Sequence, residues 1–147
     1  KELAELNIDS ARGKLMDLLC NYQGVRQCRV ILVFDAYRVP FHKEEIVAYN
    51  NIHVVYTKEA ETADAYIEKT SHEIGKDHRV RVATSDGMEQ LIVLGQGALR
   101  LSADSFHTEV MQAGEEIRET LRRLNRRERS DAVAEALRRA AENAGEK

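Results

Sequence analysis

The chain reads as an α/β protein, a three-layer domain with a mainly parallel central sheet and a long C-terminal helical segment. Three observations carry this expectation. Cys28 to Phe34 (CRVILVF) is a nearly continuous apolar, β-branched run ending at Asp35, the pattern of a strand covered on both faces, as in parallel sheets. Ile52 to Tyr56 (IHVVY) and Val80 to Thr84 (VRVAT) are two further strand-like runs, with a stretch of helical periodicity between them. Strands that alternate with helices at these spacings imply βαβ units with right-handed crossovers.

Taken in order, Asp9 or Ser10 is suited to cap a first helix over residues 9 to 22, along which Leu15, Met16, Leu18 and Leu19 recur at helical spacing until Gly24. The first strand, CRVILVF, follows. Residues 36 to 51 read as irregular, with Pro40 as a breaker, before the strand IHVVY. Thr62 to Ile74 places Ala63, Tyr66, Ile67, Thr70 and Ile74 on one face, an amphipathic helix closed by Gly75. After VRVAT, the triplet Ser85-Asp86-Gly87 opens a short helix through Leu94 that Gly95 and Gly97 end, and Ala98 to Leu101 forms a short fourth strand. Ser102 then caps a long charged helix, bent or interrupted near Gly114, that runs to about Arg127. Asp131 to Ala144 is rich in Ala, Glu and Arg and reads as a marginal, partly frayed tail helix.

Composition narrows the function classes. The 147 residues are 43% hydrophobic and 32% charged, a globular balance that excludes a disordered or collagen-like chain. A chain of this length buries about 70% of its unfolded surface, enough for one real core. No apolar run approaches the roughly 18 residues of a membrane span, and Lys1-Glu2-Leu3-Ala4-Glu5 lacks the apolar stretch of a signal peptide, so a cytoplasmic protein without a membrane partner is expected. Cys20 and Cys28 are too few for a disulfide framework and offer no zinc spacing, so both are expected as small core residues. The five histidines also lack ligand spacing and read as surface or edge residues.

Candidate chemistry gathers at the carboxyl ends of the strands, where open parallel sheets place their sites. Asp35 ends the first strand, Glu61 and Asp64 open the helix after IHVVY, and Asp86 follows VRVATS. Each has a plain structural role available, as a turn former or as an acidic residue at a helix N-terminus. Together they are costly to hold: two like charges about 4 Å apart repel by roughly 4 kcal/mol at an effective dielectric near 20. A hard divalent cation, Mg²⁺ or Mn²⁺, relieves that repulsion, generates a hydroxide nucleophile and clamps a phosphodiester.

The segments VILVFDAYRV, VYTKEAETADAYIEK and VRVATSDGMEQ, with the downstream GQGALRLSA, together resemble the YacP-like NYN family, a branch of the PIN-like ribonucleases. The resemblance runs from about Leu6 to Arg127 and keeps the segments in order and spacing. It implies a PIN-like domain over residues 1–129 followed by a tail over 130–147, and a metal-dependent endoribonuclease acting on single-stranded RNA. Asp35, Asp64 and Asp86 match acidic motif positions and are the implied catalytic residues; with Glu61 they are the implied ligands of Mg²⁺ or Mn²⁺. Thr84 and Ser85 would flank the site, and Arg100 of GQGALR would lie near the RNA. Some relatives are linked to translating ribosomes, which implies the ribosome as a partner. The family also begins with a strand of the type Leu-Val-Asp-Gly-Tyr-Asn, which supplies a leading metal-binding Asp. This chain starts just before the first helix, so an N-terminally incomplete domain is expected.

The formal net charge of −3 hides a basic patch. Between Arg118 and Arg129 stand six arginines, Arg118, Arg122, Arg123, Arg126, Arg127 and Arg129, against only Glu119 and Glu128. Ion pairs such as Glu119 with Arg123 account for part of such a face. The excess suits phosphate contacts, and Arg118, Arg122 and Arg126 are the candidate RNA-binding residues. Tyr37 and Arg38, after Asp35, are candidates to stack on a base and hold a phosphate. The rival expectation is a non-catalytic RNA- or ribosome-binding module that keeps the fold. A nucleotide-binding domain is disfavoured because Gly95-x-Gly97 follows a helix and does not open one.

Overall fold

Ile52–Tyr56 (β3) is the strand on which its sheet is assembled. Ile52, Val54 and Val55 are each 1% exposed, and burying three such side chains contributes about 1.5–3 kcal/mol apiece. These facts come from a computed structural model that describes residues 2–36, 41, 43–85 and 98–145. On one side β3 pairs parallel with β1 (Ile31–Phe34), in the register Ile31 with His53 through Phe34 with Tyr56. On the other it pairs antiparallel with β2 (Glu45–Tyr49), from Glu45 opposite Tyr56 to Tyr49 opposite Ile52.

β2 corrects the expectation that residues 36 to 51 are irregular. Four of its five residues are exposed, so EIVAY shows neither the continuous apolar run of a covered strand nor a clean alternation. Its turn is closed by Asn50 at φ 49°, a left-handed conformation that Asn tolerates. The hairpin is then fastened to α1 (Glu2–Arg26) by side chains: Asn51 Nδ2 donates to the Cys20 carbonyl at 2.9 Å and to Gln23 Oε1, and the Tyr49 hydroxyl donates to Asp17 Oδ1 at 2.7 Å.

β1 is shorter and less covered than CRVILVF suggests. Ile31 is exposed and Leu32 to Phe34 are half-buried, because among the described residues β1 has a hydrogen-bonded neighbour on one side only. Cys28 is exposed, contrary to expectation, and Cys20 is half-buried with its thiol 3.7 Å from the Tyr49 carbonyl. α1 is also longer than its periodicity indicated. Gly24 does not stop it; the helix ends where Gln27 turns left-handed at φ 54° and its amide donates to the Gln23 carbonyl at 2.8 Å. The inward face is Leu19 and Tyr22, flanked by Met16, Cys20 and Val25, while Leu15 and Leu18 are exposed.

α2 (Ala63–Ile74) begins as expected. Thr62 is its N-cap, with Oγ1 accepting from the Ala65 amide at 3.2 Å. Gly75 is its C-cap, its amide donating to the Ser71 carbonyl at 2.9 Å, and a Cβ there would stand 2.6 Å from that oxygen, so the position favours glycine. β4 (Arg81–Thr84) and β5 (Leu99–Ser102) form a second, parallel pair. Val82 and Ala98 are its buried residues, with Ile67 of α2 and Val80 packed against them. The short helix expected through Leu94, with Gly95 and Gly97, lies outside the described residues.

α3 (Ala103–Gly145) is capped by Ser102, whose hydroxyl accepts from the Ser105 amide at 3.1 Å. Neither the expected interruption near Gly114 nor a stop at Arg127 is present: the helix continues through Gly114 and on to Gly145 through the Ala-rich segment, whose residues as a set have high helix propensity. By its contacts the chain divides into two compact units, Lys1–Ala113 and Gly114–Lys147. In the first, Phe106, Val110 and Ala113 of α3 pack with Leu19, Tyr22, Ile52 and Val54. In the second, the described residues are exposed apart from half-buried Gly114, Ile117 and Ala134.

Within the first unit, Glu109 of α3 joins β4 to α1. Arg81 donates from Nη2 to Oε1 at 2.7 Å and from Nη1 to Oε2 at 3.2 Å, and the buried Tyr22 hydroxyl donates to Oε2 at 3.2 Å. Tyr22 also meets Phe106 edge-on at 5.2 Å. The Arg81 hydrogen bonds hold the Glu109 carboxyl below its ordinary 4.5, and burial beside that carboxylate raises the Tyr22 phenol. Because the Glu109 pKa is lower in the folded state, its stabilisation is full above 4.5 and is lost as pH falls through the folded value. Glu109→Gln is therefore expected to lower stability in urea at pH 7 by about 1 kcal/mol, the scale of a part-exposed pair. The difference from wild type should vanish below the lowered carboxyl pKa, and a difference independent of pH would exclude this role for the pair.

Candidate functional site

The parallel register of β1 and β3 brings two chain segments to one end of the sheet. Phe34 stands opposite Tyr56, so Asp35 and Thr57 both lie just beyond the last paired residues. Thr57 is fully buried. Its amide donates to the Phe34 carbonyl at 3.2 Å, and its hydroxyl accepts from the Ala36 amide at 2.9 Å. Asp35 sits between those two anchored backbone groups with its own residue exposed. Thr57 was not among the residues singled out from the sequence, although a β-branched residue directly after IHVVY is a signal that strand geometry continues one residue further.

From Thr57 the chain enters the turn that carries the next carboxylates. The Glu61 amide donates to the Lys58 carbonyl at 3.1 Å, and Ala60 between them takes φ 65°, a left-handed conformation costing a non-glycine residue about 1–2 kcal/mol. Glu61 is largely withdrawn from solvent, its side chain 11% exposed. Lys69 Nζ, on α2, lies 2.8 Å from Glu61 Oε1 and 3.9 Å from Glu44 Oε2, and Lys58 Nζ is 3.9 Å from Glu61 Oε2. The hydrogen bond to Glu61 holds Lys69 charged beyond its ordinary range, and the same ammonium lies 5.1 Å from the Tyr66 ring centre. Glu61 Oε2 is buried and accepts no hydrogen bond among the described residues. Asp64 is exposed in the first turn of α2, where the helix dipole favours a negative charge. Lys69 is a second residue that sequence patterning did not reveal, because its partner stands outside the helix.

Thr84 closes β4 half-buried, and Ser85 follows it exposed. Arg100 is exposed on β5, opposite Val82. Asp86, Tyr37 and Arg38 lie outside the described residues. The candidate ligands are all carboxylate oxygens, the donors that Mg²⁺ or Mn²⁺ takes, and Glu61 Oε2, which accepts no hydrogen bond among the described residues and lies 3.9 Å from Lys58 Nζ, is an acceptor of that kind. In chemistry the set fits a hard cation. Among the described residues alone, no three His, Cys, Asp or Glu side chains come together as a metal group.

In the second unit, Arg118, Arg122 and Arg126 recur at every fourth position of α3, a spacing that places them along one face. Arg118 pairs with Glu115 at 3.4 Å and its Nε donates to the Gly114 carbonyl at 3.4 Å. Among the described residues the expected Glu119–Arg123 pair is not formed, while Arg139 pairs with Glu135 at 3.3 Å. Arg122, Arg123, Arg126, Arg127 and Arg129 carry no ion pair among the described residues. Of the histidines, His53, His72, His78 and His107 are exposed, as expected; His42 lies outside the described residues.

Comparison with known proteins gives one consistent result. The YacP-like NYN domain family matches residues 1–146. The uncharacterised protein YacP of Bacillus subtilis (strain 168) is 35% identical over 135 residues, spanning 91% of this chain and 79% of that protein. The crystal structure of Rae1 (YacP) from Bacillus subtilis superposes with a TM-score of 0.69 at 35% identity, covering 85% of this chain and 72% of that one. Its W164L mutant gives 0.68 at 36% identity, covering 79% and 67%. Family match, sequence identity and fold agree with one another, and the chain belongs to the YacP-like NYN domain family, with a PIN-like nuclease fold.

Proposed function

We propose that the chain is a metal-dependent endoribonuclease that cleaves single-stranded RNA in the cytoplasm, with mRNA on the ribosome as the substrate context the family resemblance implies. The observation that carries the proposal is the parallel β1–β3 register, which sends Asp35 and the turn leading to Glu61 and Asp64 out from the same sheet end. Asp35, Asp64 and Asp86, with Glu61, would hold Mg²⁺ or Mn²⁺, and such an ion supplies Lewis acidity toward water and phosphate when bound. Thr84 and Ser85 offer hydroxyls to a phosphate oxygen at the end of β4. Residues 1–129 would form the nuclease domain and 130–147 its Ala-, Glu- and Arg-rich, partly helical tail.

Polyanion binding next to carboxylates needs compensating charge. Lys58 and Lys69 supply it beside Glu61, with Arg38 and Arg100 as further candidates, and the arginines of α3 in the second unit offer phosphates a strip of their own. Electrostatic contacts of this kind raise affinity without regard to base sequence.

Two measurements test the proposal. Cleavage of single-stranded RNA with Mn²⁺ is expected to fall by at least about 100-fold in Asp64→Asn or Asp86→Asn, the scale of removing one transition-state-stabilising group. RNA binding without cleavage in the wild type, at any metal concentration, would select the non-catalytic module instead. For binding, the double variant Arg122→Gln/Arg126→Gln should reduce the slope of log affinity against log salt by about 1.4, at roughly 0.7 per phosphate contact on single strands. An unchanged slope would remove these two arginines from the RNA surface.

A further inference from the structure

We infer that Thr57 is the positioning residue for Asp35: through its amide and its buried hydroxyl it holds the backbone on both sides of that aspartate. The inference rests on the nuclease reading above. Asp35 follows the last ladder residue of β1, so sheet pairing does not fix its direction. Its two flanks are fixed by one residue, with Phe34 O and Ala36 N bound at 3.2 and 2.9 Å to the amide and the Oγ1 of Thr57. The side chain of Thr57 is 0% exposed and β-branched, so packing limits its χ1 and water does not compete for the bond. An exposed aspartate on an unbraced turn samples many directions, whereas a carboxylate that meets a cation or phosphate must be held within about 0.5 Å.

A purely structural role predicts that losing the hydroxyl costs stability alone. A positioning role predicts separate losses in chemistry and in cation affinity. Thr57→Val keeps the shape and removes the hydroxyl; Thr57→Ser keeps the hydroxyl. In variants verified as folded at the assay temperature by circular dichroism, Thr57→Val is expected to lose about 10- to 100-fold in kcat and in Mn²⁺ affinity measured by calorimetry, as for other residues that orient a ligating group. KM for RNA should stay within about twofold, since no substrate contact is removed. Thr57→Ser should restore both quantities, and the Ala36 amide should exchange with deuterium faster in Thr57→Val only. Equal impairment in Ser and Val, or wild-type kcat and Mn²⁺ affinity in Val, overturns the inference. A wild type that neither cleaves RNA nor binds Mn²⁺ overturns the nuclease reading instead. Ala36 exchange then decides whether Thr57 holds the turn, and unchanged exchange in Thr57→Val overturns that too.

Discussion

β3 uses its backbone on both edges and its side chains for the core, and the rest of its sheet depends on that double commitment. Its amides and carbonyls are spent on β1 and β2. Ile52, Val54 and Val55 occupy the interior, while His53 faces out. Ile52 and Val54 share one face and belong to the main core cluster, so a one-residue slip would turn these two out of it, and the register with β1 is held by their burial as well as by hydrogen bonds. The same register sets where β1 ends relative to β3. The position of Asp35 is thus a consequence of core packing several residues away.

Around the candidate site, charge is balanced locally. Glu61 is shielded from solvent and meets two lysines, and one of these, Lys69, also faces Glu44 and the Tyr66 ring. Leaving a carboxylate so withdrawn without partners would cost several kcal/mol, and the two lysine ammoniums offset part of that cost. The strained Ala60 conformation persists because the turn is tied at both ends, by Glu61 to Lys58 and by the Thr62 cap of α2. Rigid support of this kind is what a site made from short loops requires.

Periodicity and caps made several elements legible from the residues alone. IHVVY and VRVAT declared themselves by β-branched runs, and α2 by Thr62, its amphipathic face and Gly75. The extent of α1 and α3 is less legible, because Gly24 reads as a stop and Gly114 as a bend or interruption, whereas a helix tolerates an isolated glycine at a cost of about 1 kcal/mol. β2 escaped notice because an exposed strand has no apolar face to advertise. The acidic positions could be ordered along the chain from motifs, but their supports could not. Thr57 and Lys69 act through contacts set by strand register and helix phase, and a linear pattern does not carry these.

Beyond Ala113 the long helix buries almost nothing, so its order derives from the propensity of Ala, Leu, Glu and Arg and from local pairs such as Arg139 with Glu135. A segment stabilised in that way melts gradually, while the packed unit before it unfolds cooperatively. The tyrosines among the described residues, Tyr22, Tyr49, Tyr56 and Tyr66, belong to the packed unit, and the sequence of the second unit contains none. Tyrosine spectroscopy therefore reports on one unit and helical ellipticity on both. The two signals are expected to follow different melting curves.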